Sequence, residues 1–178
     1  MLEKILSFWF AEENKDNLFK KDINFDNLIK ENFLEFFEES IKGFNLLEIK
    51  NKTDLLSYVI LFDQFSRNMF RDTKEAFATD DLALSLTIAS IYKGEDSLFE
   101  TKHRNFLYLP LMHSEKLAIQ ELSIKKFKEV NNGEDHSYAI AHYNIIKQFG
   151  RFPHRNNILG RTSTAQELEF LQQPNSGF

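Results

Sequence analysis

Cysteine is absent from this 178-residue sequence, so it can build no disulfide, thiolate nucleophile, or cysteine-ligated zinc or iron–sulfur site. Glycine and proline are scarce, at six and three residues, and neither the phosphate-cradling loop nor the dinucleotide-binding glycine pattern occurs. No apolar run approaches the roughly 18 residues of a membrane span. The opening stretch Met1-Leu-Glu-Lys-Ile-Leu-Ser-Phe-Trp-Phe10 lacks the basic start and small-residue cleavage site of a signal peptide. The expected location is therefore cytoplasmic, with no membrane partner. Positive charge is also short: the formal net charge is −5, a balance that repels a phosphate backbone, and no nucleic-acid partner is expected.

Strand signals are missing as well. No period-two segment of useful length occurs, whereas helical spacing recurs throughout. Ile5, Phe8 and Trp9 share one face of a first short helix. Phe25, Leu28, Ile29, Phe33, Phe36 and Phe37 recur at three- and four-residue intervals in a second, running from Phe25 to Ile41. Thr53 is a candidate cap for a third, whose run Leu55-Leu-Ser-Tyr-Val-Ile-Leu-Phe62 is apolar nearly all round and predicts a central position. A fourth is expected from Thr79 or Asp80 to Gly94. The stretch from Arg104 to Val130 reads as helix interrupted at Pro110. A sixth helix is expected from Glu134 to Phe149. A last one opens on the capping-box pattern Thr164-Ala-Gln-Glu167. The prediction is an all-α chain of about seven helices, with residues 1–178 as a single domain. Most of the 19 phenylalanines are assigned to its core.

Arginine use is uneven. Sixteen of the 22 basic residues are lysine, and five of the six arginines fall in two short segments, Arg67 and Arg71, then Arg151, Arg155 and Arg161. That distribution implies a need for the forked guanidinium at those places. The second segment is the turn Phe149-Gly-Arg-Phe-Pro-His-Arg-Asn-Asn-Ile-Leu-Gly-Arg161, where Gly150 and Gly160 permit sharp bends and Pro153 stiffens the loop. Arg151, His154, Arg155 and Arg161 supply up to four cationic or donor groups there, suited to carboxylate or phosphate. The capped helix start at Thr164 adds a favourable dipole for an anion. Gln64-Phe65-Ser66-Arg67-Asn68 echoes Gln148-Phe149-Gly150-Arg151, which suggests two helix ends converging on one place.

Polar residues on apolar helix faces demand a reason, because burying them unpaired is costly. Asp63 shares a face with Val59 and Ile60 and stands four residues before Arg67. Glu115 lies beside Leu111, Ala118 and Ile119, with His113 just ahead of it. His142 belongs to the stripe Tyr138, Ile145, Phe149. Neither Glu-x-x-His on paired helices nor His-Glu-x-x-His occurs, so no metal and no cofactor are expected. A Gly-x-Ser-x-Gly nucleophile elbow around Ser114 is missing too.

The sequence resembles the bacterial domain-of-unknown-function family number 924. The resemblance is carried by Phe8-Trp-Phe10, Leu61-Phe-Asp-Gln-Phe-Ser-Arg-Asn68, Ala76-Phe-Ala-Thr-Asp80, Leu109-Pro-Leu-Met-His-Ser-Glu115, Phe149-Gly-Arg-Phe-Pro-His-Arg-Asn156 and Leu159-Gly-Arg161. It implies a tetratricopeptide-like stack of antiparallel helices and leaves activity open.

The leading expectation is a cleft for an anionic small molecule or acidic peptide, lined by Arg67, Asn68, Arg71, Arg151, His154, Arg155 and Arg161. Asp63, His113, Glu115 and His142 would support it. The competing reading is internal: the arginines pair with Asp63, Asp80, Asp81 and Glu115 and lock the helices. Two other functions remain open, a hydrolase or transferase with His113 or His142 as base beside Glu115, and a protein-interaction adaptor. The oligomeric state is not legible.

Overall fold

The computed structural model describes residues 1–131, 133, 136–174 and 176–177. Among them the regular structure is entirely helical, with no strand. Helix α1 spans Leu2–Trp9 and α2 spans Ile23–Gly43. Asp22 caps α2, its carboxylate accepting from the Asn24 and Phe25 amides. Helix α3 covers Lys52–Val59 and runs without a break through a π-helical turn, Ile60–Phe65, into the short α4, Ser66–Met69. Its cap is Asn51 rather than Thr53, because the Asn51 side chain reaches the Asp54 amide at 2.9 Å. Helices α5 (Asp80–Tyr92), α6 (Thr101–His113), α7 (Leu117–Val130), α8 (Ser137–Phe149) and α9 (Ala165–Phe170) follow.

The sequence reading gave about seven helices, and nine are described. The additional segments arise where α4 leaves the π turn and where α6 and α7 part. That parting lies at Ser114–Lys116 and not at Pro110, which sits inside α6. Proline removes one helical donor, and the neighbouring Leu107 carbonyl is taken by Thr87 Oγ1 of α5 at 2.8 Å. The end of α6 is closed instead by Gln120 of α7, whose Nε2 donates to the Met112 and Ser114 carbonyls at 2.6 and 2.7 Å. The predicted start of the sixth helix at Glu134 lies outside the described residues.

The segment Leu55–Ser66 is buried at every position, as expected of a helix covered on several sides. It packs against α1, α2, α5 and α6. Trp9, Tyr108, Phe33, Phe62, Phe65 and Phe152 are the largest fully buried side chains among the described residues, and Phe65 makes aromatic contacts with Phe8, Trp9 and Phe33. Leu28 departs from the predicted core face, at 42% exposed. A second, smaller apolar cluster of Ile145, Ile146 and Phe152, joined by Phe149 and Phe170, ties the 149–161 turn to α8 and α9. Among the described residues no helix is long and apolar enough to cross a membrane.

Candidate functional site

The π turn sets the geometry. A wider helical turn leaves carbonyls without their usual amide partners, and π turns recur at functional sites. Here side chains supply the donors. Thr79 Oγ1 and Ser66 Oγ both reach the Phe62 carbonyl, at 2.6 and 2.8 Å, and Arg67 Nη1 reaches the Asp63 carbonyl at 2.6 Å. The turn thereby presents Asp63, only 1% exposed, to three donors. These are Gln64 Nε2, His113 Nδ1 at 2.7 Å and Arg67 Nη1 at 3.3 Å. Burial alone would raise the Asp63 carboxyl, but His113 and Arg67 hold it well below the ordinary carboxylate range.

His113 stands at the last residue of α6. A carboxylate can only accept, so Nδ1 carries the proton and Nε2 of the neutral ring carries the lone pair. Among the described residues Nε2 has no hydrogen-bond partner, and the side chain is 15% exposed. Burial, aided by Arg67 and opposed by Asp63, keeps this imidazole below its usual value and neutral at pH 7.

Arg67 and Arg155 converge on Asp80 at the start of α5. Arg67 grips the carboxylate with both terminal nitrogens, at 2.9 and 3.0 Å. Arg155 stands off at 3.5 Å. Its guanidinium lies 4.7 Å from the Phe77 ring centre and 4.5 Å from that of Phe152, it is 6% exposed, and its Nε is buried without a partner. No hydrogen bond from Arg155's side chain occurs among the described residues, although a guanidinium carries five donors. Burial and the nearby Arg67 lower it to about 10, still charged at neutral pH. The two helix ends whose sequences echo each other thus do converge, but through Arg155 and not Arg151.

The other arginines of the two segments are each forked onto a carboxylate. Arg161 forks onto Glu115 at 2.7 and 3.0 Å and also donates to Asn156 Oδ1 and the Phe152 carbonyl. Glu115 in addition accepts from the Phe152 amide at 2.8 Å, so it joins α6 to the turn. Arg151 forks onto Glu167 at 2.6 and 2.8 Å and bonds the Thr162 carbonyl. Arg71 and Asn68 are both engaged by Asp26 of α2. Asp81, one of the acids assigned to an arginine, instead faces Lys116 on the surface at 3.5 Å.

The capping box at α9 forms as the sequence predicts. Its helix start is filled by Glu167, whose Oε2 accepts from the Thr164 amide at 2.7 Å, so the chain's own carboxylate takes the place assigned to an external anion. Thr164→Ala is expected to lower stability by about 1 kcal/mol, read as a shift of the urea midpoint with an unchanged slope.

His142 bonds its own helix through Nδ1 and the Tyr138 carbonyl at 2.8 Å. Its ring lies 6.3 Å from that of His113 and edge-on to Phe152. Burial, then the proximity of His113, depresses it to about 3. His154 contacts Phe152, and burial with Arg155 beside it lowers it to about 4. Among the described residues no three His, Asp or Glu side chains form a metal-binding group.

Sequence reasoning missed Asp26, Phe77 and Glu167 as partners of the arginines. Asp26 was within reach of the rule that found Asp63, since it lies three residues before Ile29 on the buried face of α2. Phe77 and Glu167 carry no such local mark.

The family model described as "Bacterial protein of unknown function (DUF924)" matches residues 5–175. The chain belongs to the DUF924 family. A solved structure of a protein of unknown function from Agrobacterium tumefaciens is 33% identical, with a TM-score of 0.85 and 96% of each chain covered. No curated protein matches. The stretches that carry the resemblance to DUF924 meet in the cluster: 61–68 brings Asp63 and Arg67, 76–80 brings Phe77 and Asp80, 109–115 brings His113 and Glu115, and 149–156 brings Arg155.

Proposed function

We propose that this chain binds a small, singly charged carboxylate at Arg155. The observation that carries this reading is a guanidinium 6% exposed, held between Phe77 and Phe152, with no hydrogen bond and its nearest acid at 3.5 Å among the described residues. A structural arginine recovers its lost hydration through forked hydrogen bonds, as Arg67, Arg151 and Arg161 do here. Arg155 keeps its donors for something else.

Charge selects carboxylate over phosphate. Arg67 and Arg155 face Asp63 and Asp80, two positive charges against two negative, and the neighbouring histidines are held neutral. A single carboxylate adds one negative charge to that balanced group beside a guanidinium that has no hydrogen bond among the described residues, while a phosphate dianion adds two to a buried site, where each uncompensated charge is costly. The site is narrower than the cleft drawn from sequence, because Asn68, Arg71, Arg151 and Arg161 are engaged elsewhere.

Isothermal titration of the full chain with butyrate, a four-carbon monocarboxylate, and with inorganic phosphate tests the reading. Butyrate is expected to bind more tightly than phosphate, and Arg155→Met to weaken it by roughly 10- to 100-fold, the equivalent of one charge-assisted hydrogen-bonded contact. Methionine preserves the packing between the two rings, so the variant should be at least as stable as the wild type. Equal butyrate affinity in the two proteins, or none in the wild type, would overturn the proposal.

A further inference from the structure

We infer that His113 is a general base which activates water against an ester of the bound carboxylate compound, with Asp63 as its positioning residue. This rests on the carboxylate reading of Arg155 and assigns the reaction class to the same site.

Geometry supports the inference. His113 commits Nδ1 to a fully buried carboxylate and leaves Nε2 without a partner among the described residues, on a side chain 15% exposed, so the Nε2 lone pair is available to a proton. Asp63 is itself fixed by Gln64 and Arg67, so the ring has one tautomer and one orientation. His113 lies in the same charged group as Arg155, linked to it through Asp63, Arg67 and Asp80. Another buried ionic group, around Asp96, behaves differently. Asp96 takes Tyr108 and Lys126 at 2.6 and 2.8 Å, and no imidazole is involved.

A base of this kind takes a proton, and the step balances with water alone. Nε2 removes a proton from water as the water oxygen bonds to the acyl carbon and the carbonyl electron pair moves onto its oxygen. When that pair returns, the bond to the leaving oxygen breaks, and Nε2 delivers the proton to the leaving alkoxide. The products are an acid and an alcohol, with His113 restored. Asp63 stays ionised and stabilises the transient imidazolium.

The full chain is assayed with mono-4-nitrophenyl succinate, whose free carboxylate addresses Arg155 while its ester addresses His113. His113→Asn is the informative variant, because its side-chain amide can still donate to Asp63. It is expected to lower kcat by about 100-fold or more, to leave butyrate affinity unchanged, and to regain turnover with added imidazole. Asp63→Asn should lower kcat and shift the pH profile while butyrate still binds. The profile is expected to rise with the neutral imidazole and level off above pH 7. It is set by the groups facing the ring, namely Asp63 and Arg67 on the central helix, Asp80 on α5, His142 on α8, and His154 and Arg155 in the turn. Diethyl pyrocarbonate should modify His113, and butyrate should protect it. Equal ester turnover by wild type and His113→Asn, with butyrate still bound by both, overturns the catalytic inference and spares the binding site. Absence of both butyrate binding and turnover in the wild type removes the two together.

Discussion

Asp63→Ala is expected to lower the unfolding free energy by about 3–5 kcal/mol, about a fifth or more of the roughly 5–15 kcal/mol that a domain ordinarily has. Asp63 is 1% exposed and takes hydrogen bonds or an ion pair from Gln64, His113 and Arg67. Alanine leaves those donors in place without their acceptor, and a buried charge stripped of its partner costs more than the pair was worth. Arg67 keeps Asp80, so the loss falls mainly on the His113 side and on the π turn. Asp80→Ala is expected to cost less, because Asp80 is partly exposed and water replaces it. Urea denaturation at pH 7.5 reads both variants, with the wild-type slope retained. A loss below about 1 kcal/mol for Asp63→Ala, the range of surface pairs, would show that the acid is hydrated and no hub. The companion result at Arg155 runs the opposite way. Removing its charge leaves no hydrogen-bond partner stranded, and stability is held or gained where binding is lost. Together the two substitutions separate a helix lock from a receptor.

Acid is expected to unfold the protein well above the range where carboxylates titrate. His142 is held at about 3 and His154 at about 4 in the folded chain, against roughly 6.5 when unfolded. Below pH 6.5 the unfolded chain takes up two protons that the folded chain refuses, so stability is complete above about pH 7 and falls as pH drops toward 4. One proton of difference corresponds to about 1.4 kcal/mol per pH unit. The pair therefore predicts a slope of roughly 1–3 kcal/mol per unit. Glu167, held at about 2 by its fork with Arg151, adds a further loss in the same direction below pH 4.5. Urea midpoints measured from pH 7.5 to 4.5 should fall steeply in the wild type and more shallowly in His142→Leu with His154→Leu. A wild-type profile flat between pH 7 and 5 would mean that both imidazoles protonate freely in the folded state.

Much of the fold was legible because burial in helices follows a local period. Ile5 and Trp9, and Phe25, Ile29, Phe33 and Phe37, stand at the spacings that bring them to one face, and all are buried. The unbroken apolar run from Leu55 lies at the centre. The Thr164–Glu167 box and the left-handed cap at Gly150, with φ 70°, are written in residues one to three positions apart. Failures arose where a distant group overrode a local rule. Pro110 does not end its helix, since Thr87 of α5 and the surrounding core hold α6 together, and Gln120 decides where α6 stops.

By itself, then, the sequence determined an all-helical chain, the positions of its arginines, and the anomaly of acids and histidines on apolar faces. Those properties depend on side-chain type and on neighbours within two helical turns. Only the tertiary structure decided which arginine takes which acid. The decisive pairs join residues 13, 42, 46 and 50 positions apart, as in Arg67–Asp80, Asn68–Asp26, Arg161–Glu115 and Asp63–His113. A Coulombic contact depends on distance in space and on burial, and neither is encoded in spacing along the chain. Five arginines of similar promise on paper become four that lock helices together and one, Arg155, that is buried between two rings and makes no side-chain hydrogen bond among the described residues.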